Sequence, residues 1–309
     1  MISPKPLPPN ISKLKRLERP KRVTIAAGFV CADGIIICAD TQETISGYTK
    51  SSAHKLKVWR DGGLNIVVTG AGDTELIETV SQLLIEALRG DYTEQSCWFP
   101  KKLCQIIQDT FLTFFKTSLL PYPRDERPGV DLLIGVALHN ERVAHESLFK
   151  ASGTTVREID PGEGSLGAEC VGMGVILGNS LIERLYSPFL HLDELLIIAA
   201  YIIFQAKQWI DGCGGDTDLI ILGKNICRGV SRTDLAQLEN YFAEFDKWTH
   251  DLVQPFSNVN VSDADFLSEL HRRQNQILQF RQDLLKANLG VFGIMRELKI
   301  QRSGGLATS

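Results

Sequence analysis

Two closely spaced apolar runs near the start of the chain constrain its fold most strongly. Residues 23–31 and 35–40 are rich in β-branched and small apolar residues, and the turn Ala32-Asp33-Gly34 lies between them. Asp-Gly between two such runs is a strong signal for a β-hairpin. Because both runs are almost continuously apolar, we expect both faces of this hairpin to be covered by other elements.

The rest of the chain up to residue 230 continues as blocks of strands and blocks of helices. A second hairpin is predicted at 54–72, around Asp61-Gly62-Gly63. Helical spacing of apolar residues predicts helices at 73–88, with Asp73 as N-cap and Gly90 beyond the end, and at 100–119. We further predict strands at 130–138, 144–152, 155–161 and 218–223, and helices at 170–186 and 192–210.

This order predicts the fold class. Strand runs that are followed by helix pairs favour an α+β protein with helices layered on antiparallel sheets. Two sheets enclosed by two helical layers would form a single domain, here residues 23–230. The chain has 309 residues and 34.3 kDa, which is enough to bury a sizeable core.

Both ends of the chain differ from this domain. Residues 1–22, which we call the basic arm, hold five of the twelve prolines and seven Lys/Arg against one acid, Glu18. Such a segment buries too little apolar surface to order itself, so it is either a solvated basic arm or a removable propeptide. Residues 231–309 form a helical C-terminal extension with predicted helices at 234–250 and 263–286. This extension either packs on its own domain or contacts neighbouring subunits.

Composition excludes several functional classes. The net charge of −4 argues against a nucleic-acid-binding polycation. The seven cysteines are scattered and form no C-x-x-C pair, which argues against a zinc site and favours a reduced, cytoplasmic setting. The longest apolar stretch, residues 195–204, is too short to cross a bilayer, and the sequence has no secretory signal.

Residues 24–40, T-I-A-A-G-F-V-C-A-D-G-I-I-I-C-A-D, resemble the start of a proteasome β-type subunit, a member of the N-terminal-nucleophile hydrolases. The match continues through T-Q-E-T-I-S-G at 41–47, H-K-L at 54–56, G-A-G-D-T at 70–74, G-M-G at 172–174 and D-G-C-G-G at 211–215. It covers roughly residues 24–224. The resemblance implies a four-layer αββα sandwich.

The resemblance also implies a set of site residues. Thr24 takes the nucleophile position, Asp40 and Lys55 the positions that activate it, Gly72 an oxyanion-hole amide, and Asp211 a supporting role. The chemistry is consistent with these residue types, because a threonine hydroxyl needs a base and a free α-amine can accept its proton near neutral pH. The nearby ammonium of Lys55 would lower the pKa of the hydroxyl and the amine.

The implied function is that of a threonine peptidase that hydrolyses protein or peptide substrates within a ring of identical or related subunits. An unfoldase ATPase is a candidate partner, and no metal or cofactor is implied. The substrate pocket would draw on Ser46, Gly47 and Gly70.

Four residues depart from the family pattern. Thr24 is internal and follows Val23 rather than glycine, and Ile25 stands at the second position, where another Thr is common. Met173 and Gly214 replace two auxiliary serines. The alternative is therefore a noncatalytic ring or scaffold subunit with an unprocessed N-terminus. A third, more distant hypothesis is an unprocessed protein that binds an acidic partner through the basic arm.

Overall fold

A computed structural model of the chain describes residues 24–45, 49–95, 99–139, 144–162, 166–224, 226–257, 262–286 and 290–305. The basic arm and Val23 lie outside the described residues, as do Ser46 and Gly47 of the predicted substrate pocket. In the described part, no helix combines the length and apolar character that a membrane span requires.

The hairpin that opens the chain forms the centre of a five-stranded antiparallel sheet. Its strands, in spatial order, are β10 (Ala168–Gly172), β1 (Ile25–Cys31), β2 (Gly34–Asp40), β11 (Thr217–Gly223) and β12 (Ile226–Gly229). Cys31 pairs with Gly34, so the predicted turn is confirmed. All seven residues of β2 are buried, as its continuous apolar character predicts.

The second five-stranded sheet is also antiparallel and follows chain order. Its strands are β5 (Lys57–Asp61), β6 (Leu64–Gly72), β7 (Val130–His139), β8 (Ala144–Ser152) and β9 (Thr155–Ile159). A separate two-stranded ribbon, β3 (Gln42–Ile45) and β4 (Thr49–Ser52), precedes it. The ribbon is absent from our sequence-based assignment.

Helices follow each block of strands. They are α1 (Thr74–Gln95), α2 (Phe99–Phe114), which continues as a π-helical turn (Phe115–Leu119), α3 (Val175–Leu185), α4 (Leu192–Trp209), α5 (Arg232–Ser257), α6 (Asp263–Lys286) and α7 (Gly290–Gly305). The chain is therefore a mixed protein with antiparallel sheets and helices, as predicted.

Three apolar clusters hold these elements together. One joins the first sheet to α4, α5 and α7, through residues such as Phe29, Leu196, Phe242 and Ile294. A second joins β6, β7 and β8 to α1 and α2. The third combines side chains from both sheets, including Ile37 and Leu133. Because α5 and α7 contribute buried side chains to the first cluster, these two helices of the C-terminal extension pack on the chain's own domain, α5 against β11 and α4, and α7 against α4.

One predicted helix is wrong in its first part. The apolar run at 170–186 predicts a single helix, but its first residues belong to strand β10, and α3 begins at Val175. β10 pairs antiparallel with β1, so that Ile25 lies opposite Gly172. Periodicity alone does not assign short apolar runs to helix or strand, and the long-range pairing decides here.

The first helix is longer than predicted. The sequence places its end before Gly90, whereas α1 continues through this glycine to Gln95. A helical glycine costs about 0.5–1 kcal/mol relative to alanine. Tertiary contacts offset that cost, because the Tyr92 ring packs edge-on against Phe99 and its hydroxyl donates a hydrogen bond of 2.7 Å to the Gly62 carbonyl.

Candidate active site

Strand pairing brings the first two predicted site residues together. Thr24 immediately precedes β1 and Asp40 ends β2. Because Ala26 pairs with Ala39 in the hairpin, both residues lie at the same end of the sheet. Lys55 reaches this end from the segment between β4 and β5. Three residues that are up to 31 positions apart in the sequence thus converge on one point.

The Thr24 hydroxyl lies between a carboxylate and an ammonium group. It donates a hydrogen bond of 2.5 Å to Oδ1 of Asp40 and accepts one from Nζ of Lys55. Thr24 is 5% exposed and Asp40 is fully buried. Low local polarity strengthens electrostatic interactions between these groups, so the hydroxyl is held in one position by two charged neighbours.

The Lys55 ammonium group uses all of its hydrogen-bonding capacity. Besides the bond to Thr24, it donates to Asp40 Oδ1 at 2.7 Å and to the carbonyl oxygen of Gln42 at 2.6 Å. An ammonium has three N–H groups, so each has a partner. Its side chain is 14% exposed. The Lys55 charge is therefore fixed beside the Thr24 oxygen rather than extended into solvent.

The turn after α4 completes the surroundings of Asp40. The backbone N–H of Gly214 donates to Asp40 Oδ2 at 3.0 Å, and that of Ile25 donates to Oδ1 at 3.1 Å. A β-carbon at position 214 would lie only 2.6 Å from Oε1 of Gln42. The Gln42 side chain in turn donates to the Gly212 carbonyl at 2.7 Å. Gln42 thus lies where a side chain at position 214 would point.

A cleft of about 350 Å³ opens beside the Thr24 hydroxyl. It is lined by Thr24, Gln42, Glu43, Ala53, His54, Lys55, Lys57, Gly70, Gly72, Thr74, Ile77 and Glu78. Glu43 accepts a hydrogen bond of 2.6 Å from Thr74, and Lys57 forms a 2.7 Å ion pair with Glu78. That hydrogen bond from Lys57 lowers the pKa of the Glu78 carboxyl. The cleft walls therefore carry charged side chains of both signs.

The first residue of α5 also contacts the rim of this cleft. Arg232 donates two hydrogen bonds to Asp218, at 2.7 and 2.9 Å, and its Nη2 lies 2.8 Å from Nδ1 of His54. The Asp218 carboxylate raises the pKa of the Arg232 guanidinium. His54 precedes Lys55, so the start of the C-terminal extension contacts the segment that bears the ammonium group.

Gly72 lines the cleft in a backbone conformation that favours glycine. Its φ is +128°, and a β-carbon there would lie 2.0 Å from the Gly129 carbonyl oxygen.

We expect Gly72→Ala to reduce the free energy of unfolding by about 2–3 kcal/mol through backbone strain and this clash. Gly90→Ala is the matched control, because it adds a methyl group to a helical site with open space around it. It should stabilise the protein by about 0.5–1 kcal/mol. Equal urea midpoints and slopes for the two variants would contradict the backbone strain and the close contact that we describe at Gly72.

Cys213 is the thiol that lies close to this cluster. It is buried, and the pKa of its thiol is raised to about 12, mainly by burial and also by the nearby Asp40 carboxylate, while the Lys55 ammonium acts to lower it. Because the thiolate is the reactive form of cysteine, Cys213 is a poor nucleophile at neutral pH. The hydroxyl of Thr24 is therefore the better candidate.

The structure does not bring every predicted residue to this point. Asp211 is exposed, and no hydrogen bond joins it to the other described residues of the cluster. The turn that contains Asp211 contributes through its backbone instead. Met173, which stands where the family has a serine, is 48% exposed. Neither of these two side chains forms a hydrogen bond with the described residues of the cluster.

Sequence reasoning did not identify two contributors. Gln42 could have been inferred from its position two residues after Asp40, because residues two apart share one side of an extended chain. The backbone N–H of Gly214 could not have been found, since every residue other than proline carries this group. Only the folded turn directs it at Asp40.

Comparison with solved structures finds the same fold in Anbu proteins. Anbu from Hyphomicrobium sp. strain MC1 is 17% identical with a TM-score of 0.57, and the match covers 78% of this chain and 100% of that one. Anbu from Yersinia bercovieri, described as an ancestral beta-subunit, is 16% identical with a TM-score of 0.59 over 78% of this chain and 99% of that one. Anbu of Pseudomonas aeruginosa, solved as a helical assembly, is 14% identical with a TM-score of 0.59, and the match covers 78% of this chain and 99% of that one.

No protein-family model matches the chain, and no curated protein matches its sequence. At identities of 14–17% the likeness to Anbu concerns the fold alone. The proteasome-like fold implied by the sequence resemblance is thus supported.

Proposed function

We propose that this chain is a threonine peptidase of the proteasome β type, with Thr24 as its nucleophile. The observation that carries the proposal is the Thr24 hydroxyl, which lies between Asp40 and Lys55 at the edge of an open cleft. A hydroxyl held beside an ammonium and next to space for a substrate is arranged for nucleophilic attack. The buried Asp40 carboxylate and the partly buried Lys55 ammonium both bond to this one hydroxyl.

The reaction needs a free amine on Thr24, so the bond after Val23 must first be cleaved. The hydroxyl oxygen then attacks the carbonyl carbon of the scissile peptide, and its proton passes to the free α-amine. The carbon–nitrogen bond breaks, the leaving amine takes this proton, and an ester on Thr24 remains. Water that is deprotonated by the same amine hydrolyses the ester and restores the hydroxyl.

The other site residues would assist these steps. Lys55 would lower the pKa of the nucleophile and Asp40 would keep the ammonium oriented. The amide of Gly72, which lines the same cleft, would stabilise the oxyanion. For Asp211 we propose only a supporting role, because the turn that contains it contacts Asp40 through the backbone N–H of Gly214.

The same proposal includes the layered architecture of the domain, its assembly with other subunits, and its substrates and location in the cell. The three apolar clusters are consistent with a four-layer αββα sandwich for residues 23–230, preceded by the basic arm and followed by the helical extension. The Anbu proteins, one of them solved as a helical assembly, support self-association into a ring or related assembly. We place its action on protein or peptide substrates in the cytoplasm, with an unfoldase ATPase as a candidate partner.

The competing function is a noncatalytic subunit of such an assembly. Met173 and Gly214 favour it, since neither can supply the hydroxyl that the family has at its position. The exposed side chain of Asp211 also favours it. This alternative predicts that the bond between Val23 and Thr24 stays intact.

Intact mass and N-terminal sequencing distinguish the two functions. The purified wild-type chain should begin at Thr24, and the Thr24→Ala variant should keep residues 1–23, because self-cleavage needs the hydroxyl. Val23→Gly should be processed faster, since a flexible glycine relieves strain during the attack. A wild-type chain that keeps its first residues would favour the noncatalytic subunit. Equal cleavage of wild type and Thr24→Ala would instead identify a separate protease as the processing agent.

A further inference from the structure

Helix α6 has two parallel rows of side chains, and the part of the chain that the structure describes covers one of them. The covered row consists of the less exposed residues Phe266, Glu269, Arg273, Gln276 and Phe280. Its contact partner is α5: the Phe280 ring lies 5.4 Å from that of Tyr241 and 4.6 Å from that of Trp248, edge-on in both cases. The spacing of three and four residues along this row is typical of one face of a packed helix.

The second row, which we call the free seam, runs beside the first and is exposed. It consists of Asp263, Leu267, Leu270, Gln274, Ile277 and Arg281. These residues recur at intervals of four and three, which is the spacing of a coiled-coil seam. Its three aliphatic side chains are between 40% and 52% exposed, and the neighbouring Leu278 and Leu285 are nearly half exposed. Exposed apolar side chains in such a continuous row mark an interaction surface.

The charges of the free seam indicate what covers it. Its first residue is acidic, Asp263, and its last is basic, Arg281, with Gln274 as the polar residue between them. An antiparallel copy of the same helix therefore presents the opposite charge at each end. A parallel copy would place Asp263 against Asp263 and Arg281 against Arg281, and like charges in contact disfavour association.

We propose that the free seam of α6 pairs with α6 of a second copy of this chain, antiparallel about a two-fold axis near residue 272. In this register Asp263 lies opposite Arg281 of the partner subunit. Leu267 lies opposite the partner's Ile277, and Leu270 opposite the partner's Gln274. All three pairs follow from one register, because in each pair the two residues are equally far from the axis. Such a two-fold contact uses the same surface on both subunits.

This pairing is independent of the peptidase chemistry. It uses none of the residues of the candidate active site, and it would hold for a noncatalytic subunit as well. Its failure would leave the proposed function unchanged, and the reverse also applies.

Disulfide trapping tests the register directly in the full-length chain. We would combine Leu267→Cys with Ile277→Cys in a background where Cys97 and Cys104 are serine. These two positions are about 15 Å apart along one helix, too far for a disulfide within the chain. Mild oxidation should therefore give covalent dimers of the double variant, whereas each single variant should stay monomeric on a denaturing gel.

The outcomes of this trapping are decisive. Dimers from the Leu267→Cys variant alone would mean parallel pairing and would overturn the proposal. The absence of dimers from the double variant, with its helical circular dichroism intact, would also overturn it.

Charge reversal tests the same contact without cysteines. By sedimentation velocity, Asp263→Arg should weaken self-association at least tenfold, because it places two arginines together at each end of the contact. Adding Arg281→Asp should restore association by exchanging the two charges. Ser268→Arg is the matched control on a different face of α6 and should have no effect. An Asp263→Arg chain that associates as strongly as wild type would overturn the proposal. That result would indicate that a different protein covers the free seam.

Discussion

A chain that begins at residue 24 should lose peptide hydrolysis by roughly 10⁴–10⁶-fold when Thr24 is replaced by alanine. This is the order of magnitude that removal of the nucleophile costs in serine proteases. Thr24→Ser keeps a hydroxyl next to the free amine, and we expect it to retain measurable activity. The rate of cleavage of a fluorogenic peptide library is the measurement.

The chain for this experiment is made by removing a cleavable fusion in front of residue 24. The free amine is then present whether or not the protein processes itself. This separates the catalytic role of Thr24 from the processing experiment.

A chain with one extra glycine before Thr24 is the sharpest control. It keeps the hydroxyl, Asp40 and Lys55, but it moves the α-amine away from the oxygen whose proton it should accept. We expect this chain to be almost as inactive as Thr24→Ala. If it hydrolyses peptides as fast as the chain that begins at Thr24, the amine is not the base. If Thr24→Ala is fully active, the nucleophile lies elsewhere.

Loss of the Lys55 ammonium should have the second-largest effect, and it should act on stability and activity together. Lys55→Met leaves the fully buried Asp40 carboxylate without its counter-ion. Breaking a buried ion pair by removing one partner typically costs about 3–5 kcal/mol. We expect a loss of this size in the free energy of unfolding measured with urea, and a fall of roughly 10²–10⁴-fold in the peptidase rate of the processed chain.

A double variant separates the two effects. Adding Asp40→Asn to Lys55→Met removes both charges and leaves a neutral amide, whose one oxygen can accept the hydrogen bond of either the Ile25 or the Gly214 N–H. Part of the lost stability should return, since no unpaired buried charge remains, whereas activity should stay low. Recovery of activity with stability would show that Lys55 acts only as a structural residue. A loss of less than 1 kcal/mol in Lys55→Met would contradict the buried ion pair itself.

Much of the architecture follows from local sequence patterns. The hairpin of β1 and β2 and the one of β5 and β6 each have a short glycine-containing turn between apolar runs, and both appear where they are predicted. Helix α6 begins and ends at the predicted residues. These elements can be predicted because their signals, turn residues and periodicity, are contained within a few neighbouring residues.

The convergence of Thr24, Asp40 and Lys55 was predicted from a resemblance in sequence order, and the tertiary structure brings their side chains together. No local rule contains the distance between residues 24 and 55, since it depends on the path of β3 and β4 between them. The activity of this cluster stays a prediction until it is measured.

By itself, the sequence determined the two hairpins and the alternation of strand blocks with helix blocks, and its resemblance to proteasome β-type subunits identified the three polar residues that meet at one end of the first sheet. The tertiary structure alone decided that residues 168–172 form strand β10, because pairing with β1 outweighs local helical propensity. It also decided that the Gly214 amide, rather than the Asp211 side chain, contacts Asp40. Both decisions rest on contacts between residues that are 139 or more positions apart, and no local pattern of side chains encodes the direction of a backbone N–H.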